Sequence, residues 1–266
     1  MSKFKLEKFT SKKIGKKYVF SQHEGDNWAG PSIEHYPAIN TTKLGVYTED
    51  GKYKFELKLN NTEGTDYTIR VCNKEGYPIG LTMVVSNGCL YFGKFSSREG
   101  FNGTVYRFKK DENVRIQKYS HGLLLDECVH EYVVKTDVAY PLPFECLVEA
   151  GETIERKVSN KKGDFIEFIA GNPNSRIRVL GASIDGEGSV TIGQYRDDGF
   201  SGLAMKYLPD GMTYLRTFTN GTPDGEFEFL YNSGELNGVT VNGYAIVVKK
   251  DDEAGYLDLI FCEKNV

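Results

Sequence analysis

The chain has little of what marks most enzymes, membrane proteins or small secreted scaffolds. It carries one tryptophan, four histidines, four methionines and eight prolines in 266 residues. Its five cysteines (Cys72, Cys89, Cys128, Cys146 and Cys262) are odd in number and form no C-x-x-C. That spacing excludes the common disulfide frameworks and structural zinc patterns, and reads as free thiols in a reducing compartment. No run approaches the ~18 apolar residues of a transmembrane helix. The start, Met1 to Lys8, alternates charges and lacks the apolar stretch of a secretory signal, so a cytoplasmic location is expected. There is no phosphate-binding loop, nucleophile elbow, His-Glu-x-x-His or kinase motif. A net charge of −4 argues against nucleic acid as a partner, since that partner wants a basic surface. No convincing long amphipathic helix is present.

What the chain does have is glycine and aromatics: 29 Gly, 17 Tyr and 16 Phe. Together these favour strands and tight turns. Hydrophobic content of 39% is enough for a sizeable core, so wholesale disorder is not expected. The most informative feature is a pattern that occurs twice. Phe92-Gly93-Lys94-Phe95, Gly100-Phe101-Asn102-Gly103, Phe108, Asp111, Tyr119 and Gly122 return as Ile192-Gly193-Gln194-Tyr195, Gly199-Phe200-Ser201-Gly202, Tyr207, Asp210, Phe218 and Gly221. The offset falls from 100 to 99 after the first Gly-aromatic pair, as a single deletion in a turn would produce. Self-similarity of this kind identifies a repeat architecture.

Along the chain, the first ~20 residues are Lys-rich and form either a short strand or a basic arm. Residues 21–42 hold His23, Gly25, Asp26, Gly30, Pro31 and Pro37 and read as a long loop. Lys52 to Leu59 alternates polar and apolar residues, the mark of a half-buried antiparallel strand. Asn87-Gly88 closes a hairpin of the type I′ kind. The pattern weakens after Gly122, and His121 to Glu131 reads as a single short helix capping the first array. Pro141 and Pro143 mark 137–163 as the boundary between an N-terminal region, 1–136, and a C-terminal region, 137–266.

Each unit runs aromatic, Gly, aromatic, x, Gly, an alternating strand, then Asp-Gly or Asn-Gly. This resembles the MORN repeat, a short β-hairpin that stacks edge to edge. Residues 192–214 match best, through Gly193, Tyr195, Gly199, Gly202, Tyr207, Asp210, Gly211 and Tyr214. Units at 69–91, 92–116 and 215–236 match in fewer positions. Phe95 and Tyr195 replace the usual Trp, Glu112 stands where a hairpin Gly belongs, and 122–188 interrupts the array. The resemblance implies stacked antiparallel hairpins in two arrays. It also implies a binding role, since MORN repeats have been linked to acidic phospholipids.

Several residue groups invite chemical readings. His23, Glu24, Asp26 and His35 crowd one segment around Trp28, as an enzyme site in 21–42 would require. His121, Cys128 and His130 lie within ten residues but match no common metal spacing. Asp185 and Glu187 could share a strand face, yet Asp185-Gly186-Glu187-Gly188 reads first as a turn. Lys12, Lys13, Lys16 and Lys17 form a basic cluster suited to an acidic lipid surface, where each charge contributes ~1 kcal/mol.

The expected protein is therefore all-β and non-enzymatic, with no metal or cofactor. It presents an aromatic-lined groove to a protein partner or to a second copy of itself, with Phe95, Phe101, Tyr106, Tyr195, Phe200, Tyr207, Tyr214 and Trp28 as candidate contacts. Many of these aromatics must also serve the core.

Overall fold

In a computed structural model, the described residues of the chain form twenty-one strands and one short 3-10 turn, Pro37–Ile39. The structure describes residues 3–47, 53–60, 66–72, 75, 77–96, 98–134, 153–161, 163–171, 179–197, 199–210, 212–232, 235–241, 244–250 and 257–263, and their side chains up to 224 except at 53–55, 60, 71, 79–81, 132 and 160. The first sheet contains β1 (Lys3–Ser11), β2 (Gly15–Glu24), β3 (Asn27–Tyr36), β4 (Thr41–Tyr47), β5 (Tyr53–Asn60), β6 (Asp66–Cys72), β7 (Pro78–Ser86), β8 (Cys89–Ser96), β9 (Gly100–Lys109), β10 (Asn113–Ser120) and β11 (Leu123–Val133). The second contains β12 (Thr153–Asn160), β13 (Gly163–Ala170), β14 (Val179–Asp185), β15 (Val190–Arg196), β16 (Gly199–Tyr207), β17 (Thr213–Thr219), β18 (Thr222–Asn232), β19 (Glu235–Val241), β20 (Tyr244–Lys250) and β21 (Leu257–Glu263). In each sheet every strand pairs antiparallel with its neighbours in sequence. The fold is thus all-β, made of stacked antiparallel hairpins in two arrays.

Alternation decides which face each residue joins. Phe20, Ile33, Leu44, Leu57, Ile69, Met83 and Phe92 occupy successive strands of the first sheet and point to its inner face. Phe168, Leu180, Ala182, Ile192, Leu203, Met205 and Leu215 do the same in the second. The two inner faces form one continuous core, with Phe4 packed on Phe168 at 5.3 Å between ring centroids. β1 lies over β12 and β13, β3 over β15, and β7 over β19.

The duplicated pattern builds the same four-strand unit in both sheets. β8 to β11 and β15 to β18 have register shifts at matching places, between Gly93 and Phe95 and between Gly193 and Tyr195. Both units close on a two-residue turn with left-handed φ at both positions: His121 and Gly122 (52° and 79°), and Asn220 and Gly221 (50° and 78°). That is the type I′ geometry whose twist matches antiparallel strands. In both, the turn glycine N–H donates to the carbonyl oxygen of the aromatic residue near the start of the strand before last, Gly122 to Phe101 of β9 (2.9 Å) and Gly221 to Phe200 of β16 (2.8 Å).

Three expectations need correction. The stretch expected as a capping helix over His121 to Glu131 is a turn followed by β11. A histidine in the first turn position hid the I′ signal that Asn220-Gly221 spells out at the same place in the second copy. The stretch expected as a loop over 21–42 is the end of β2, all of β3, a 3-10 turn and the start of β4. Gly25 sits at the hairpin turn and Pro37 opens the 3-10 turn, while Gly30 and Pro31 lie where the β2–β3 pairing shifts register, a bulge at which a missing N–H is tolerated. The Lys-rich start is neither a single strand nor an arm but the hairpin β1–β2. The boundary segment 137–163 overlaps residues outside those described. The first sheet ends at Val133 and the second begins at Thr153.

Two measurements check this packing. A Cβ on Gly193 would lie 2.4 Å from the Ala204 Cβ and 2.7 Å from the Leu203 carbonyl oxygen. Gly193→Ala should therefore cost ~1–3 kcal/mol, read as a lower urea midpoint. His35 lies on the inner face, buried, with Nδ1 2.9 Å from Thr42 Oγ1. Burial holds its pKa below the ordinary 6.5. The folded chain keeps His35 neutral, while the unfolded chain takes up a proton below that pH. Its contribution to stability is complete above 6.5 and is lost as pH falls. The melting midpoint should drop between pH 7 and 5, and drop less in His35→Gln.

Candidate functional site

The outer faces of the two sheets carry the candidate residues. In the first sheet the outer face is filled. Lys17 pairs with Glu34 at 3.0 Å, and its ammonium lies over Phe9, Trp28 and Tyr36, 5.5–5.8 Å from each ring centroid. Trp28 stands between Phe9 and Tyr47, and its Nε1–H donates to Glu7 (2.6 Å). The Tyr36 hydroxyl donates to Glu34, and burial together with that carboxylate pushes the phenol well above its usual range. Next along, Glu56 is buried between Lys43 (3.1 Å) and Arg70 (2.5 Å). Arg107 donates to Glu112 (2.9 Å), and Arg115 to Glu127 (2.6 Å). Hydrogen bonds from Lys109 and then Arg107 hold the Glu112 carboxyl below the usual range, and those from Gln117 and then Arg115 do the same for Glu127.

The outer face of the second sheet is hollow. A groove of about 980 Å³ runs across β13 to β17. Phe165 stands on one side, Tyr195, Phe200 and Phe218 on the other, and Ser183, Thr191 and Lys206 form the floor. Register makes the comparison direct. The first sheet carries Val84, Tyr91 and Arg107 in one cross-strand row; the second carries Ser183, Thr191 and Lys206 in the equivalent row. Beside that row, Thr82, Gly93 and Val105 become Gly181, Gly193 and Ala204. Apart from the glycine kept at 93 and 193, each change removes volume from the outer face.

The aromatic wall is conserved in geometry between the copies. Phe95 meets Phe101 edge-on at 5.3 Å, and Phe101 meets Tyr119 at 5.8 Å. Tyr195 meets Phe200 edge-on at 5.5 Å, and Phe200 meets Phe218 at 6.0 Å. Gly181 lets the wall seat, because a Cβ there would lie 2.6 Å from the Tyr195 ring. Beneath the second wall is a buried polar network. The Tyr195 hydroxyl donates to Glu167 (3.0 Å) and accepts from the Arg156 guanidinium (2.6 Å), which also pairs with Glu167 at 2.5 Å. Burial and the Glu167 charge raise the Tyr195 phenol well above its ordinary range, so it is a neutral donor at all relevant pH.

The structure divides the candidate contacts. Phe95, Phe101, Tyr195, Phe200, Tyr214 and Trp28 lie on outer faces. Tyr106 and Tyr207 pack against the shared core. The histidines of segment 21–42 do not meet. His23 is on the outer face, with Nε2 3.3 Å from Ser21 Oγ and 3.6 Å from Glu7, whereas His35 points to the inner core. Burial lowers the pKa of His23 too. His121, Cys128 and His130 are strung along a turn and strand, exposed, and do not converge. No group of three or more His, Cys, Asp or Glu able to hold a metal ion occurs among the described residues. Asp185 caps its own turn, accepting from the N–H groups of Glu187 and Ser189. Lys12 and Lys13 lie in the β1–β2 turn and Lys16 is exposed beside it, but Lys17 is committed to Glu34. Sequence reasoning missed Glu167, Arg156, Ser183 and Thr191. The signal for the last was the exchange of Tyr91 for Thr191 between otherwise matched copies.

No protein-family model matches the chain, and no curated protein sequence matches it. No helix among the described residues is long and apolar enough to cross a membrane.

The Arg156–Glu167 pair supports the wall and can be tested alone. Breaking a buried pair costs ~3–5 kcal/mol, but Arg156 is 37% exposed and water replaces part of its contribution. Arg156→Met should therefore cost about 2 kcal/mol. The double variant Arg156→Met/Glu167→Met should recover most of that loss in a denaturant titration.

Proposed function

We propose that this chain is a non-enzymatic protein-interaction module, and that the groove on the outer face of its second sheet receives a segment of a protein partner. We read the hairpin units as degenerate MORN-type repeats, on their paired glycine, aromatic and turn positions. The observation that carries the functional reading is the hollowing of one copy of a duplicated unit. A sheet face needs no cavity for stability, and the first copy fills the same place with Tyr91, Val105 and Arg107. The groove has the composition of a recognition surface: aromatic walls that supply rigid apolar area, with hydroxyls and charges on the floor that set orientation. Lys206 lies 3.7 Å from Asp185 and Arg216 stacks on Tyr214 at 4.5 Å, so the charges are already oriented before a partner arrives. A reading as an acidic-lipid binder rests on Lys12, Lys13 and Lys16 alone, because Lys17 is held by Glu34 and the aromatic rings.

The test is to fill the groove with side chains the fold already accepts. Thr191→Tyr and Ala204→Val copy the first sheet's residues into the second. Proteins captured from native lysate by the unaltered chain should be lost from this double variant by at least tenfold, with its melting midpoint within a few degrees of the original. A partner retained at full yield by the filled groove would refute the assignment.

A further inference from the structure

The first copy of the repeated unit shows what the second copy lacks. In the first sheet Tyr91 stands on the outer face between its cross-strand neighbours Val84 and Arg107. Its ring centroid lies 6.5 Å from that of Phe101, and the Arg107 guanidinium hydrogen-bonds its hydroxyl. Phe101 thus has three ring neighbours: Phe95, Tyr119 and Tyr91. In the second sheet Phe200 has the equivalents of the first two, Tyr195 and Phe218. Where the third would stand lies the groove, floored by Thr191.

The charges at that place suit a hydroxyl. Lys206 takes the position of Arg107, opposite Thr191, and its ammonium lies 3.7 Å from Asp185 Oδ2. An ammonium has three N–H donors, and a separation of that length engages one of them only loosely. Asp185 Oδ1 accepts from the N–H groups of Glu187 and Ser189, while Oδ2 faces Lys206. A donor and an acceptor of opposite charge therefore lie side by side on the groove. A phenol both accepts and donates, and it complements this pair. An indole N–H only donates, and would set a donor against Lys206. A plain phenyl ring would cover the ammonium and return no acceptor. Phe165, on the facing side, adds apolar area for the ring.

We propose, resting on the reading of this groove as a partner site, that it selects a tyrosine of the bound segment. The ring sits over Thr191 against Phe200, and the hydroxyl reaches Lys206 and Asp185. The partner completes from outside the aromatic cluster that Tyr91 completes from within the first sheet. Rigid aromatic anchors of this kind dominate the energy of interfaces, and one ring in a preformed site loses little conformational freedom on binding.

The probe is N-acetyl-L-tyrosinamide, titrated into the full chain and followed by NMR at the Thr191 methyl group. A dissociation constant on the order of a millimolar is expected for a ligand of this size, so the titration runs to about 10 mM. The ring current should move the Thr191 methyl resonance saturably. N-acetyl-L-phenylalaninamide should bind about tenfold more weakly, having no hydroxyl for Lys206. N-acetyl-L-leucinamide should leave the resonance in place. Lys206→Met should abolish the preference for tyrosine over phenylalanine, a ratio that a merely structural lysine would not move. Tyr91→Thr should open a second site for the same probe in the first sheet, read at the Val84 methyl groups. The proposal is overturned by no saturable shift, by equal affinity for the leucine amide, or by a tyrosine preference that survives Lys206→Met. A folded Tyr91→Thr chain with no second site overturns it too. The titration of the unaltered chain stands even if the variants fold poorly. If the probe fails while lysate proteins are still lost from the filled groove, the partner site stands and its selection of tyrosine falls. If the probe binds while the filled groove still captures its partners, the ring site stands and the partner role falls.

Discussion

The structure depends on two meander sheets burying their apolar faces against each other. An antiparallel sheet with local connections has one face available for a core, and each sheet here has only the other to cover it. Phe4 against Phe168 and the continuous run of core side chains through both sheets are the result. Local hairpins need only short loops, so chain entropy opposes this arrangement weakly strand by strand. What no hairpin can supply is the opposing layer. A hairpin or two on its own is marginal in water, so the stack forms as a whole.

That constraint frees the outer faces to differ. Inner residues must be apolar and must mesh, and the two copies of the repeated unit keep Phe92 and Ile192, or Phe108 and Tyr207, in matching inward places. Outward places have no such partner layer. In the first sheet they hold a lattice of ion pairs and rings, with Glu34 and Glu56 buried among Lys17, Lys43 and Arg70. In the second the same places hold Ser183, Thr191 and Ala204, and a groove opens. The part-buried network there, Arg156–Glu167–Tyr195, fixes one wall of that groove and does not fill it. Divergence of function in such a fold is a matter of outward volume on an unchanged inward frame.

Much of the fold was legible in the residues. Alternation at Lys52 to Leu59, the Asn87-Gly88 turn and the repeated Gly-aromatic pairs each report a local geometry, because φ preference and side-chain alternation act within a few residues. The failures were local signals obscured: His121 took the turn position that Asn220 holds in the other copy, and the prolines of 21–42 imitated a loop. The candidate site was legible only in part. The aromatics announced themselves, but Tyr195 and Tyr207 look alike in sequence, and one lines the groove while the other packs on the core. The chain by itself determined strand periodicity, turn type and the existence of two matched units, all set by neighbours in sequence. Only the tertiary structure decided which face is inward and where outward volume is missing. Those depend on what a second sheet, far along the chain, covers or leaves bare.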